Sequence, residues 1–141
     1  MPDFEIAFLD HVAIRVKDID RSAKWYNEVL GLKEHRYEVW GDFPVLMLKG
    51  KTGVAIFPEK GPEMKEKPAV RIDHFAFQLN PENFQKAKAK FDRIGLRYIE
   101  QDHHFFRSLY IIDPDGHTVE LTSLQLDPTE FYGGANVSST D

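Results

Sequence analysis

Residues 8–16 (FLDHVAIRV) alternate in polarity, with Val12, Ile14 and Val16 on one face and His11, Ala13 and Arg15 on the other. Successive strand side chains point to opposite faces, so this pattern predicts a half-buried strand. The period then lengthens. Ile19, Ala23, Tyr26 and Leu30 fall at helical spacing, which predicts a helix with one apolar stripe, capped by Asp18 or Asp20 and stopped by Gly31. Three shorter strands are predicted at about 34–39, 44–48 and 53–57, with Gly41-Asp42 and Gly50-Lys51 supplying the turns. The first half therefore reads βαβββ.

After a charged, Pro-rich stretch at 58–68 that suits an exposed linker, the same order begins again. In residues 71–79 (RIDHFAFQL), Phe75, Phe77 and Leu79 share one face while His74, Ala76 and Gln78 share the other. Asn80-Pro81 predicts a helix start, Phe84, Ala87, Phe91 and Ile94 its apolar stripe, and Gly95 its end. The interval from His to Gly is 20 residues in the first half (31 − 11) and 21 in the second (95 − 74), so one supersecondary unit is used twice. Strands at about 96–101, 107–113 and 117–122 complete it. The last two flank Asp113-Pro114-Asp115-Gly116, whose Pro and Gly predict a type I turn in a β-hairpin. Residues 125–141 hold no sustained period and predict a partly ordered tail.

Two features of this duplication carry chemistry. His11 and His74 stand at the same register of equivalent strands, on the face that the helix leaves uncovered. Glu120 stands in mid-strand, where Glu is a poor β-former; it is either on a solvated face or has a cation to meet. If the modules pair their sheets, the two imidazoles and the carboxylate line one concavity. Such a set forms a facial triad with coordination positions left open for substrate or water.

Composition narrows the classes. The 141 residues suit about one domain, with 42% apolar and 29% charged residues, as in ordinary globular proteins. A net charge of −5 without a basic run argues against a nucleic-acid partner. The absence of Cys excludes disulfides and thiolate chemistry by the chain itself. No apolar run approaches the roughly 20 residues of a membrane span. The acidic opening lacks a signal peptide's basic region, so no membrane association and a cytoplasmic location are expected.

Four stretches together resemble the vicinal oxygen chelate superfamily of glyoxalase, bleomycin-resistance, fosfomycin-resistance and extradiol dioxygenase proteins. They are Leu9-Asp10-His11-Val12-Ala13, Trp25-Tyr26 through Val29-Leu30-Gly31-Leu32, Ile72-Asp73-His74-Phe75-Ala76, and Leu109 through Leu121. The resemblance implies an α+β fold in which two βαβββ modules form an incomplete mixed β-barrel around a metal site. It treats residues 1–141 as one domain, with modules at about 8–57 and 71–123, linker 58–70 and tail 124–141. It implies His11, His74 and Glu120 as ligands of one divalent ion, among Fe, Mn, Zn, Ni and Co. It further implies a small-molecule substrate chelated through adjacent oxygens, lyase, isomerase, transferase or dioxygenase chemistry, and a homodimer. The alternative is a metal-free sequestering protein of the bleomycin-resistance type.

Glyoxalase I-like members carry a fourth ligand where this chain has Ala55, which cannot coordinate; Glu59 is a weak substitute. The basic residue that binds phosphonate in the fosfomycin-resistance branch falls near Glu100, and its cation-binding loop at His104-Phe105, so antibiotic modification is not favoured. Near the site, His104 and Tyr110 are candidate catalytic groups, His104 as acid or base and Tyr110 as hydrogen-bond donor. Ser108, His103, Phe57 and Arg107 are candidate substrate contacts, while Arg36 and Glu38 are weaker candidates for an anion contact and a base. Ser108 lacks a nucleophile elbow, and Gly133-Gly134 lacks the pattern of a phosphate loop.

Overall fold

A computed structural model describes residues 3–59 and 72–132. Most of the expected linker and the last nine positions of the expected tail, residues 133–141, lie outside the described residues. The chain divides into two compact units, residues 1–69 and 70–141.

In the first unit, strand β1 (His11–Val16) leads into helix α1 (Ile19–Leu30), followed by β2 (Lys33–His35), β3 (Val45–Lys49) and β4 (Thr52–Pro58). The sheet order is β1-β4-β3-β2, with β1 parallel to β4 and the other pairs antiparallel. Asp18 caps α1 by accepting from the Arg21 amide at 3.0 Å, and Gly31 ends it in the left-handed region at φ 70°. Ala23, Tyr26 and Val29 are the buried stripe, so Val29 takes the place expected of Leu30. Ile14, Val16, Val45, Met47, Val54 and Ile56 meet it from the sheet. The strand expected at 34–39 stops at His35, and a 3-10 turn, Glu38–Trp40, follows. Gly53 is fixed by crowding: a Cβ there would be driven into the Met47 carbonyl oxygen.

The second unit repeats the order as β5 (His74–Gln78), helix α2 (Pro81–Ile94), β6 (Ile99–Asp102), β7 (Phe106–Ile112) and β8 (Thr118–Leu124). Its sheet order, β5-β8-β7-β6, is the same topology. Asn80 accepts from the Asn83 amide at 2.8 Å, Pro81 occupies the first turn, and Gly95 closes the helix. Phe84 and Phe91 are its buried anchors, while Ile94, expected in the stripe, is exposed. Emptying a Phe site of this kind costs about 3–5 kcal/mol, so these rings hold the helix on Leu109, Ile111, Val119 and Leu121.

Both sheets are mixed and open, and the α+β architecture of two βαβββ modules is as expected. The expected tail yields one short helix, α3 (Pro128–Tyr132), which five residues of polar and aromatic character hid from a search for period. Phe131 packs on Phe105 and Phe106 with ring centroids 5.6 and 4.9 Å away, and the Tyr132 hydroxyl accepts from Gln78 Nε2 at 2.9 Å. Among the described residues, no helix is long and apolar enough to cross a membrane.

Candidate metal and substrate site

Strand pairing decides which side chains meet. In the second unit Ala76 lies opposite Glu120, and Glu120 opposite Tyr110; His74 is paired with Thr118 and Ser108 with Thr122. Directly paired residues project from the same side of a sheet. His74, Glu120, Tyr110, Ser108 and Thr122 therefore share the face that α2 does not cover.

Glu120 is 8% exposed, and each of its carboxylate oxygens has a partner. One oxygen accepts from Ser108 Oγ at 2.6 Å, and the other faces His74 Nε2 at 3.0 Å. Ser108 also holds Thr122 Oγ1 at 2.9 Å. On the far side of the imidazole, His74 Nδ1 donates to Asp73 Oδ2 at 2.8 Å. With a carboxylate at each ring nitrogen, His74 is held above the usual imidazole range. The Asp73 hydrogen bond is the largest cause; burial opposes it, and the charge of Glu120 adds to it. His74 Nε2 and Glu120 Oε1 are two Lewis bases that converge.

Those two bases fit a divalent cation. Two donors at adjacent corners around an ion, each about 2.1 Å from it, lie about 3.0 Å apart, and His74 Nε2 and Glu120 Oε1 are 3.0 Å apart. The carboxylate behind the imidazole fixes the tautomer that a ligating His needs. The first unit repeats this device: His11 Nδ1 donates to Asp10 Oδ1 at 2.8 Å. Among the described residues, no three His, Asp or Glu side chains come together as a group that could hold a metal ion. In the first unit Ala55 occupies the position of Glu120, opposite Ala13 on β1, so no carboxylate stands beside His11 from β4.

The remaining candidates divide sharply. Tyr110 lies beside His74 with ring centroids 5.8 Å apart, and its phenol is held above the ordinary range by burial and by the charge of Glu120. It stays protonated, and so can act as a donor. His103 reaches that phenol, Nε2 to hydroxyl, at 2.9 Å. His104 does not: its backbone turns through φ 70°, its amide donates to Asp102 at 2.9 Å, and its ring packs on Phe105. Arg107 lies opposite Ser123 on the side that faces α2, and its guanidinium donates to Glu100 at 3.1 Å. Glu100 faces the same side, where Lys88 also holds it at 2.6 Å. In the first unit Phe57 shares the face of His11, with Phe43 beside it at 6.1 Å and the Arg15 guanidinium 5.3 Å over its ring. Arg36 is bound by Asp20 at 2.7 Å and by Glu34, while Glu38 sits in the 3-10 turn.

Asp10 and Asp73 received no role from the sequence, although the repeated Asp-His dipeptide was the available signal.

A model of the Glyoxalase/Bleomycin resistance protein/Dioxygenase superfamily matches residues 8–121. The chain belongs to that superfamily. It is 26% identical over 119 residues to glutathione transferase FosA of Serratia marcescens, covering 80% of this chain and 78% of that one. It is 29% identical over 132 residues to metallothiol transferase FosB of Staphylococcus epidermidis, covering 91% and 90%. Among solved structures, a glyoxalase/dioxygenase from Nostoc punctiforme matches with a TM-score of 0.71 at 22% identity, over 89% of this chain and 97% of the other, which shows the fold. Membership together with the two transferases bears out the expectations of a metal-dependent enzyme and of one divalent ion as its cofactor.

Proposed function

We propose that the chain is a divalent-metal-dependent transferase that adds a thiol to a small oxygenated molecule, such as an epoxide, held through adjacent oxygens. His11, His74 and Glu120 hold the ion. The observation that carries this is the His74–Glu120 donor pair at 3.0 Å with Asp73 behind the ring. A bound divalent ion supplies Lewis acidity, lowering the energy of negative charge on a chelated oxygen. The chain's own groups do the rest. Asp73 orients His74, Ser108 fixes the rotamer of Glu120, and the neutral Tyr110 phenol hydrogen-bonds the oxygen on which charge develops. In the reaction, the thiol sulfur forms a bond to carbon as a carbon–oxygen bond breaks, and the thiol proton ends on the released oxygen.

Thiol transfer is favoured over isomerisation or dioxygen chemistry by the two transferases to which the chain is similar. A doubly charged phosphonate substrate is not favoured: no Lys or Arg stands on the face of Glu120 in the second unit, among the described residues, and Glu100 is turned toward Lys88. The proposal includes a homodimer in the cytoplasm, as the resemblance implies.

Two measurements test it. Elemental analysis of protein purified without added metal is expected to find one ion per chain, lost in His74→Ala; no ion in either protein supports the metal-free binder. Metal-loaded protein with glutathione and a panel of small epoxides is then expected to consume thiol equally with and without air. Turnover that requires oxygen overturns the transferase in favour of a dioxygenase.

A further inference from the structure

Tyr110 has an imidazole on each side. His74 stands edge-on at 5.8 Å, and His103, from the turn between β6 and β7, stands edge-on at 6.0 Å with Nε2 on the phenolic oxygen at 2.9 Å. A phenol carries one proton and two lone pairs, and a neutral imidazole carries one proton on one of two nitrogens. The contact therefore exists in two forms. Either Tyr110 donates to His103, spending its only proton away from the site, or His103 Nε2–H donates to Tyr110 and leaves that proton free. The surroundings select between them. Tyr110 lies directly opposite Glu120 on the same face of the sheet, and a carboxylate is an acceptor with no proton to offer, which favours the form whose phenolic proton points toward Glu120. The oxygen then has only lone pairs left for His103.

We propose that His103 is a positioning residue: its Nε2–H donates to the Tyr110 oxygen, which aims the phenolic proton across β8 at an oxyanion of the substrate. This rests on the substrate site described above. When Glu120 gives its lone pairs to an ion, the aimed proton is left for the nearest ligand oxygen. The ligand class is thus a small molecule with vicinal oxygens, one of them negatively charged.

His103 suits this role because its backbone is fixed independently of its ring. Its amide donates to the Phe106 carbonyl at 2.7 Å, and its carbonyl accepts from Phe105 at 2.8 Å. Substitution at 103 therefore changes the contact to Tyr110 while the turn is retained.

The first test needs no metal. Nitrogen NMR of histidine-labelled, metal-free protein at pH 8, above the usual imidazole range, is expected to show His103 as the Nε2–H tautomer. Its signal is identified by its loss in His103→Gln, and it should shift in Tyr110→Phe. A His103 ring protonated at Nδ1 overturns the proposal. The second test uses acetohydroxamate, an anionic vicinal-oxygen chelator, titrated calorimetrically into Mn2+-loaded protein. His103→Leu is expected to weaken it roughly fivefold, the worth of one hydrogen bond, with Mn2+ affinity unchanged. His103→Gln, which keeps an N–H donor, is expected to stay within about twofold of wild type on the same ground. Equal loss in both variants reduces His103 to a packing role and overturns the proposal. If the protein takes up no metal, the proposed function fails, and the tautomer still decides the role of His103.

Discussion

Strands β4 and β8 hold the same place in the same module, and they carry opposite chemistry. Opposite the first strand, β4 presents Gly53, Ala55 and Phe57, where β8 presents Thr118, Glu120 and Thr122. Their antiparallel neighbours follow suit, with Leu46 paired to Ala55 and Tyr110 to Glu120. What the units share is the Asp-His pair that opens each: Asp10–His11 and Asp73–His74, both at 2.8 Å. Both copies thus hold the imidazole and its orienting carboxylate, while among the described residues the second carries the buried carboxylate and its hydroxyl partner on that face. In the proposed site, a single carboxylate with two neutral imidazoles would leave a divalent ion with net positive charge, suited to an anionic chelator. Two carboxylates would neutralise it.

Six substitutions would break or sharpen this contrast. Glu120→Gln keeps the size of the side chain and a hydrogen-bond acceptor for Ser108 but removes the charge that β4 lacks. Losing an orienting partner of a ligand costs 10–100-fold in affinity, so loss of a ligand should cost more than about 100-fold in metal affinity, read by competitive chelator titration. Gly53→Ala tests the reverse peculiarity. The added methyl meets backbone at Met47 rather than a movable side chain, so stability should fall by about 2 kcal/mol in denaturant unfolding. Thr118, at the equivalent position of β8, has no such constraint, and Thr118→Ala should cost well under that.

Asp73→Ala and Asp10→Ala ask whether the two orienting carboxylates are equivalent. Each should weaken metal binding about tenfold, with the ligands themselves intact. A loss confined to Asp73 would mean that His11 is not a ligand.

The smallest effect concerns Glu100, held below the usual carboxylate range first by the Lys88 hydrogen bond and then, against burial, by Arg107. A lowered carboxyl contributes stability above its unfolded value of about 4.5, and loses it as pH falls through the lower folded value. Glu100→Gln should therefore melt roughly 1–3 °C lower at pH 7 and match wild type once the pH lies below that lowered folded value, since partly exposed pairs are worth little.

The modules were legible because each element has its own period and its own stop. Strands alternate strictly at 11–16 and 74–78, both helices end on a glycine in the left-handed region, and the strand pairs follow from their turns. What failed was decided by neighbours rather than by pattern. The 34–39 segment has strand-like residues, yet only Lys33–His35 finds a partner on β3. Helix α3 is too short for a period and is held by Phe105 and Phe106. Within the candidate site, parity put Ser108 and Tyr110 on one face, whereas Arg107, expected among the substrate contacts, has the opposite parity and faces α2. The turn residues were beyond parity. His103 and His104 are adjacent; the backbone of His104 is left-handed, and it is the His103 ring that meets Tyr110.

The hairpin turn carries a last consequence. Buried Asp113 accepts with one carboxylate oxygen from the amides of Asp115 and His117, at 2.9 and 2.8 Å, and its carbonyl closes the turn on the Gly116 amide. That clasp counts out the residues between β7 and β8, so it also chooses which side of the cloth Glu120 is stitched on. One extra residue there would turn the carboxylate inward against Phe84 and Phe91 and bring Val119 outward in its stead. The proposed chemistry is thus hostage to the arithmetic of a four-residue bend.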